Sequence, residues 1–203
     1  NKNFEYKDTN VANFMIQEVK EIIKKKKIKY ILVLGDRFEI ASLALNLVNN
    51  SVILLHLHGG EITKGSNDNI YRYVISKCSD YHFVSTLKSK KRLINLKFKS
   101  NSVYNIGSLA LDSLSRYKEF MNIKNLNTKY GVNLEFKKFV VVSLHPETVS
   151  NITYRKQINI LFQSIKGINS NFIFTSPSPD EGRDFFIKKI SFECNKNANY
   201  HYI

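Results

Sequence analysis

Short apolar runs alternating with helix-patterned segments constrain this chain most. Lys29-Tyr-Ile-Leu-Val-Leu34 is nearly all apolar, which is how a parallel strand buried on both faces reads. Before it, Thr9 or Asn10 can cap a helix running to about Lys25. That helix would place Val11, Phe14, Met15, Val19, Ile22 and Ile23 on one face. After it, 39–48 reads as a helix and 51–57 as a second strand. A polar, glycine-containing loop over 58–69 leads to a helix over 70–79, a strand over 81–85 and a helix capped by Thr86 that reaches Leu96. Residues 102–106 form the next strand, and 109–117 begin another helix.

The periodicity loosens over 118–137, which carries several Asn and Lys and reads as a partly helical connection. Phe139-Val-Val-Val-Ser-Leu144 is a second buried-strand run, followed by a helix over 153–166, a strand over 172–175 and a helix over 180–190. Strands alternating with helices predict an α/β protein with parallel sheets. Two Rossmann-like domains are expected, 1–117 and 138–203, joined by 118–137 and each incomplete. The chain opens at Asn1 close to a helix instead of a first strand, and it stops at Tyr200-His-Tyr-Ile203 without a closing helix. Both ends read as cut.

Composition narrows the function. Of 203 residues 43% are hydrophobic, enough for a buried core. Lys and Arg number 31 against 17 Asp and Glu, a net charge of +14, which raises nucleic acid, a membrane surface or an anionic small molecule as partners. The surplus is scattered, however, and its densest run, 24–27, closes a helix where cations suit the dipole. A lysine- and asparagine-biased composition accounts for it. No aromatic–basic alternation suggests nucleic-acid binding. No apolar run approaches the ~18 residues of a membrane span, and no signal peptide opens the chain. Cys78 and Cys194 lie too far apart for a disulfide framework or a metal site. Cys78 reads as a reduced, buried thiol, which suits a cytoplasmic setting.

In parallel sheets, ligands gather beyond the carboxyl ends of strands, and four polar clusters fall there. Asp36, in Gly35-Asp36-Arg37, fits either a helix cap or a base, and Arg37 can pair with a nearby carboxylate. His56-Leu-His58-Gly59-Gly60-Glu61 places two histidines on one strand face and two glycines where backbone can approach a ligand. His56 also fits a satisfied core residue. The trio lacks a clear fourth ligand, so no metal site is read here. Gly107 and Ser108 follow a strand and precede a helix. His145 ends the second block's first strand, where it could touch phosphate, donate to a sugar hydroxyl or shuttle protons. In the helix after the glycine loop, Asp68 and Arg72 stand four apart. They fit either an i,i+4 ion pair or a base oriented by a guanidinium.

Taken in order, these segments resemble the hydrolysing UDP-N-acetylglucosamine 2-epimerases of sialic and legionaminic acid synthesis. The resemblance rests on Val33-Leu-Gly-Asp-Arg-Phe-Glu39, His56-Leu-His-Gly-Gly-Glu61, Gly65 with Asp68 and Arg72, Ile75-Ser-Lys77, His82-Phe-Val84 and Ile106-Gly-Ser-Leu-Ala-Leu-Asp112. Ser143-Leu-His-Pro-Glu-Thr148 and Pro177-Ser-Pro-Asp-Glu-Gly182 extend it into the second block.

The resemblance implies a glycosyltransferase-B-like fold and a reaction in which UDP is eliminated across C1–C2 of UDP-GlcNAc. Hydration of the glycal then gives N-acetylmannosamine. It implies neither metal nor nicotinamide cofactor, a UDP-sugar as the ligand, and a homo-oligomer when complete. By position it makes Asp36, His58, Asp68 and His145 catalytic. Arg37, Gly59, Gly60, Glu61, Arg72, Gly107, Ser108 and Asp180 become substrate-binding. His58 stands where the sialic acid branch has Glu; the His form resembles enzymes acting on UDP-N,N'-diacetylbacillosamine. Asn67 and Tyr73 also depart from the family's usual Ile and His. The family's opening Gly-Thr/Ser-Arg-Ala-Asp turn and closing Gly-Asn-Ser-Ser segment are absent, so this chain alone is expected to bind UDP poorly and turn over little. A non-catalytic sugar-nucleotide-binding remnant is the alternative.

Overall fold

A computed structural model of the chain describes residues 6–117, 128–130, 139–147, 149–178 and 181–203, apart from the side chains of 6–9 and 115–117. Two compact units emerge, Asn1–Leu114 and Ser115–Ile203. In the first, four strands, β1 (Tyr30–Leu34), β2 (Ile53–Leu57), β3 (Tyr81–Val84) and β4 (Val103–Asn105), form one sheet in the order β1-β2-β3-β4. Every pairing is parallel, with Val33 opposite His56 and His56 opposite His82. All four carboxyl ends therefore open onto the same edge.

The helices of this unit are α1 (Tyr6–Lys26), α2 (Phe38–Leu47), α3 (Asp68–Cys78), α4 (Leu87–Asn95) and α5 (Leu109–Tyr117). Thr86 caps α4 as expected, its side chain accepting from the Ser89 N–H at 3.1 Å; such a cap contributes about 1 kcal/mol. Helix α3 starts at Asp68, two residues before the expected boundary. On α1 the buried stripe is Ala12 and Ile16, extended by Met15, Val19 and Ile23. Val11, Phe14 and Ile22, expected on that face, are exposed. The stripe is narrower than the apolar pattern: among the described residues α1 packs mainly on α2.

A larger departure concerns β1. Its run predicted burial on both faces, yet Val33 alone is fully buried, while Tyr30, Leu32 and Leu34 are 62%, 57% and 58% exposed. Helices α1, α2 and α3 share a core with Val33 and Leu54, and α4 packs Leu93 against Val84 and Val103. Strand alternation puts those four strand residues on one face. Among the described residues, no core cluster forms on the other face, which carries Tyr30, Leu32, Tyr81 and Tyr104.

The second unit has three parallel strands, β5 (Phe139–Val142), β6 (Asn171–Phe174) and β7 (Tyr200–Tyr202), in that order. Helices α6 (Tyr154–Ile165) and α7 (Arg183–Lys196) bury Ile158, Phe162, Phe186 and Ile190 against Phe172 and Phe174. Here too the first strand is less buried than its sequence predicts: Phe139, Val140 and Val141 are exposed, because β5 lies at the sheet edge. Strand β7 occupies the segment read as a bare chain end. Within the expected connection, 128–130 are helical, and 118–127 and 131–137 lie outside the described residues.

Candidate active site

The turn after β1 and the loop after β2 meet at the guanidinium of Arg72. This side chain is 4% exposed. Its Nη1 donates to the Glu61 carbonyl at 2.9 Å and to Asn69 Oδ1 at 3.1 Å. Its Nη2 donates to the Asp36 carboxylate and to Thr63 Oγ1 at 3.2 Å. A planar fork of donors can hold several acceptors in fixed directions, which a lysine cannot. Asp36 is thus an ion-pair partner and not a helix cap: the residue at the start of α2 is Arg37, whose side chain turns to Glu39 at 3.3 Å.

Asp68 corrects the expected pairing. It lies one turn before Arg72 on α3, but the guanidinium is committed to Asp36. Among the described residues, nothing bonds the Asp68 carboxylate; only its backbone N–H is held, by Ser66 Oγ at 3.0 Å. The carboxylate is half-buried.

His58 and Glu61 form a second group. His58 Nδ1 lies 2.9 Å from Glu61 Oε1, and the Ser85 hydroxyl donates to the same oxygen. A carboxylate oxygen only accepts, so Nδ1 carries the proton and Nε2 is left as the other ring position. Burial alone would raise the Glu61 carboxyl. Hydrogen bonds from Ser85 and His58, with the His58 and Arg72 charges, outweigh it and hold the group below its ordinary value. The His58 backbone sits at φ +65, unusual for any residue but glycine.

Gly59 and Gly60 are packed underneath. A Cβ on Gly60 would stand 2.6 Å from the Ser89 carbonyl, and Arg92 donates to the Gly60 carbonyl, pinning the loop to α4. Gly107 and Ser108 stand at the end of β4, before α5, and among the described residues no hydrogen bond links them to the Arg72 network.

In the second unit, His145 Nδ1 accepts from the Ser178 N–H at 2.8 Å, so its proton is on Nε2, 3.4 Å from Ser143 Oγ. Thr175 Oγ1 donates to Ser143 Oγ at 3.1 Å. This hydroxyl-rich group lies beyond the ends of β5 and β6. Asp180 lies outside the described residues. Thr63, Asn69, Ser85 and Arg92 were not anticipated, since nothing in their local spacing marks them. Among the described residues no cluster of His, Cys, Asp and Glu is placed to hold a metal, and no helix is long and apolar enough to cross a membrane.

Parallel α/β units with charged and histidine side chains at their strand ends define a Rossmann-like, glycosyltransferase-B-like protein. That fold is shared with the solved UDP-GlcNAc 2-epimerase from Neisseria meningitidis bound to UDP-GlcNAc, at a TM-score of 0.75 and 18% identity, over 97% of this chain and 54% of that one. The family profile described as UDP-N-acetylglucosamine 2-epimerase matches residues 6–201, and the chain belongs to that family. It is 39% identical over 176 residues to the polysialic acid biosynthesis protein P7 of Escherichia coli, covering 85% of this chain and 44% of P7. It is 34% identical over 170 residues to the hydrolysing GDP/UDP-N,N'-diacetylbacillosamine 2-epimerase of Campylobacter jejuni, covering 83% and 44%. The chain therefore spans less than half the length of these curated relatives.

Proposed function

We propose that this chain carries the proton-transfer part of a hydrolysing UDP-N-acetylglucosamine 2-epimerase. The observation that carries the reading is the division of labour around Arg72: one carboxylate, Asp36, is locked by it, and another, Asp68, is left unbonded on the same helix. In this reading Asp68 takes the C2 proton of UDP-GlcNAc as the C1–O bond breaks and UDP leaves with the electron pair. Water then adds across the glycal: its hydroxyl bonds to C1, and the imidazolium form of His58, oriented through Nδ1 by Glu61, delivers its Nε2 proton to the opposite face of C2, giving N-acetylmannosamine. The proton that water gives up restores His58, and Asp68 returns the C2 proton to solvent. Arg37 and the loop that Gly59 and Gly60 pack onto the core face the sugar, and Gly107 and Ser108 offer the backbone N–H groups at the start of α5. His145 and Asp180 serve the nucleotide. The complete protein would be a cytoplasmic homo-oligomer.

A second reading assigns the same chemistry to UDP-N,N'-diacetylbacillosamine. It is favoured by His58 and by the similarity to the Campylobacter jejuni protein.

The test is UDP release from each sugar nucleotide by the complete protein that contains this segment. Asp68→Asn should abolish release while leaving the unfolding midpoint unchanged; undiminished turnover in that variant removes Asp68 from the reaction.

A further inference from the structure

His56 is fully buried, and its two ring nitrogens reach two different segments. Nε2 lies 3.1 Å from the Gly35 carbonyl, which can only accept, so Nε2 carries the proton. Nδ1 is therefore the acceptor and takes the Ser76 hydroxyl at 3.0 Å. Burial pushes the His56 pKa down to about 4, keeping the ring neutral and the tautomer fixed. Gly59 lies directly over this pair: a Cβ there would stand 3.1 Å from Ser76 Oγ and 3.2 Å from His56 Nδ1. One imidazole thus joins the turn after β1, the loop after β2 and helix α3.

Each of its contacts adjoins a residue of the candidate site. Gly35 precedes Asp36, Gly59 follows His58, and Ser76 lies one helical turn beyond Arg72. Gly35 sits at φ +100, and a Cβ on it would meet nothing within 4 Å. Side-chain packing therefore does not hold this peptide. Its carbonyl direction is set by the hydrogen bond from His56. A rotated Gly35–Asp36 peptide would swing the carboxylate away from the buried guanidinium.

We infer that His56, backed by Ser76, is a positioning residue that holds Asp36, Arg72 and the His58 loop in one arrangement without touching substrate. The catalytic consequence rests on the epimerase reading; the positioning itself does not.

Two substitutions separate the ring's two ends. In His56→Gln the amide nitrogen reaches the Nε2 position and still donates to Gly35. In His56→Asn the amide occupies the Nδ1 position and keeps only the Ser76 partner. In the complete protein, His56→Asn should lower kcat for UDP release by about 10- to 100-fold with KM within about threefold, and His56→Gln should recover most of that loss. A second measurement needs no activity: the Arg72 side-chain nitrogen resonances should shift in His56→Asn and stay in place in His56→Gln. Equal effects of the two variants on the Arg72 resonances, following their loss of thermal stability, would overturn the inference. Wild-type protein that releases no UDP would sink the epimerase reading instead, and the resonances would still decide the role of His56.

Discussion

Arg72 and Asp36 stand 36 positions apart in sequence and form an ion pair, with the guanidinium 4% and the carboxylate 29% exposed. The pair ties α3 to the turn after β1. Because Arg72 also holds the Glu61 carbonyl and Thr63, its orientation is fixed from several sides. The guanidinium is desolvated, so removing its counter-charge leaves a buried cation short of a partner.

Asp36→Asn should therefore destabilise the protein by about 2–3 kcal/mol in denaturant unfolding. The double variant with Arg72→Met should recover part of that loss, because the uncompensated charge is gone. Strictly additive losses in the mutant cycle would mean the pair does not form.

Two glycines separate steric contact from backbone conformation. Gly60 and Gly107 both have positive φ, +75 and +82, but only Gly60 is crowded, by the Ser89 carbonyl and Leu93. Gly107→Ala should cost about 1 kcal/mol for the left-handed backbone alone. Gly60→Ala should cost clearly more and lower the thermal midpoint further. Equal shifts would refute the close packing of the loop on α4.

His58 offers the converse experiment. At φ +65 its backbone carries a conformational cost that only glycine escapes. His58→Gly and His58→Ala both remove the bond to Glu61, so their difference isolates the backbone. His58→Gly should be the more stable of the two by roughly 1 kcal/mol. A more stable alanine variant would place His58 outside the left-handed region.

Two buried histidines set an acid limit. His56 and His82 are both pushed down to about 4 by burial, against an ordinary value of 6.5. The unfolded chain binds their protons near 6.5 and the folded chain only near 4. Their contribution is thus fully present above 6.5 and is lost as pH falls toward 4. Among the described residues His82 Nδ1 has no hydrogen-bond partner, and the ring packs edge-on against Phe98 at 4.9 Å. His82→Leu should keep its stability at pH 7 and lose less of it on acidification. An unchanged acid limb in that variant would exclude His82 as its source.

Much of this arrangement is legible in the sequence because it is local. The runs at Tyr30–Leu34 and Phe139–Val142 mark strands, Thr86 marks a helix start, and the polar clusters follow strand ends. What escapes is long-range. Spacing on α3 pairs Arg72 with Asp68, while the fold gives the guanidinium a partner from another segment, Asp36. His56 fits either a site face beside His58 or a satisfied core residue in sequence, and only the sheet decides for the core, with Leu54. Strand β7 is three residues long and half polar, too short for a period-2 signal. Burial of the strand runs depends on which faces the helices cover, and periodicity cannot supply that.

The sheet face on which no core cluster forms among the described residues makes the first unit a one-sided amphiphile. Tyr30, Leu32 and Leu34 on one side confront water, while mutual repulsion at +14 keeps molecules apart. These opposing tendencies make its colloidal behaviour depend on ionic strength: added salt shortens the reach of the repulsion to about 3 Å at 1 M and leaves the adhesive side unopposed. The chain should thus be dispersed in dilute buffer, cling to phenyl resin and air–water interfaces, and salt out early.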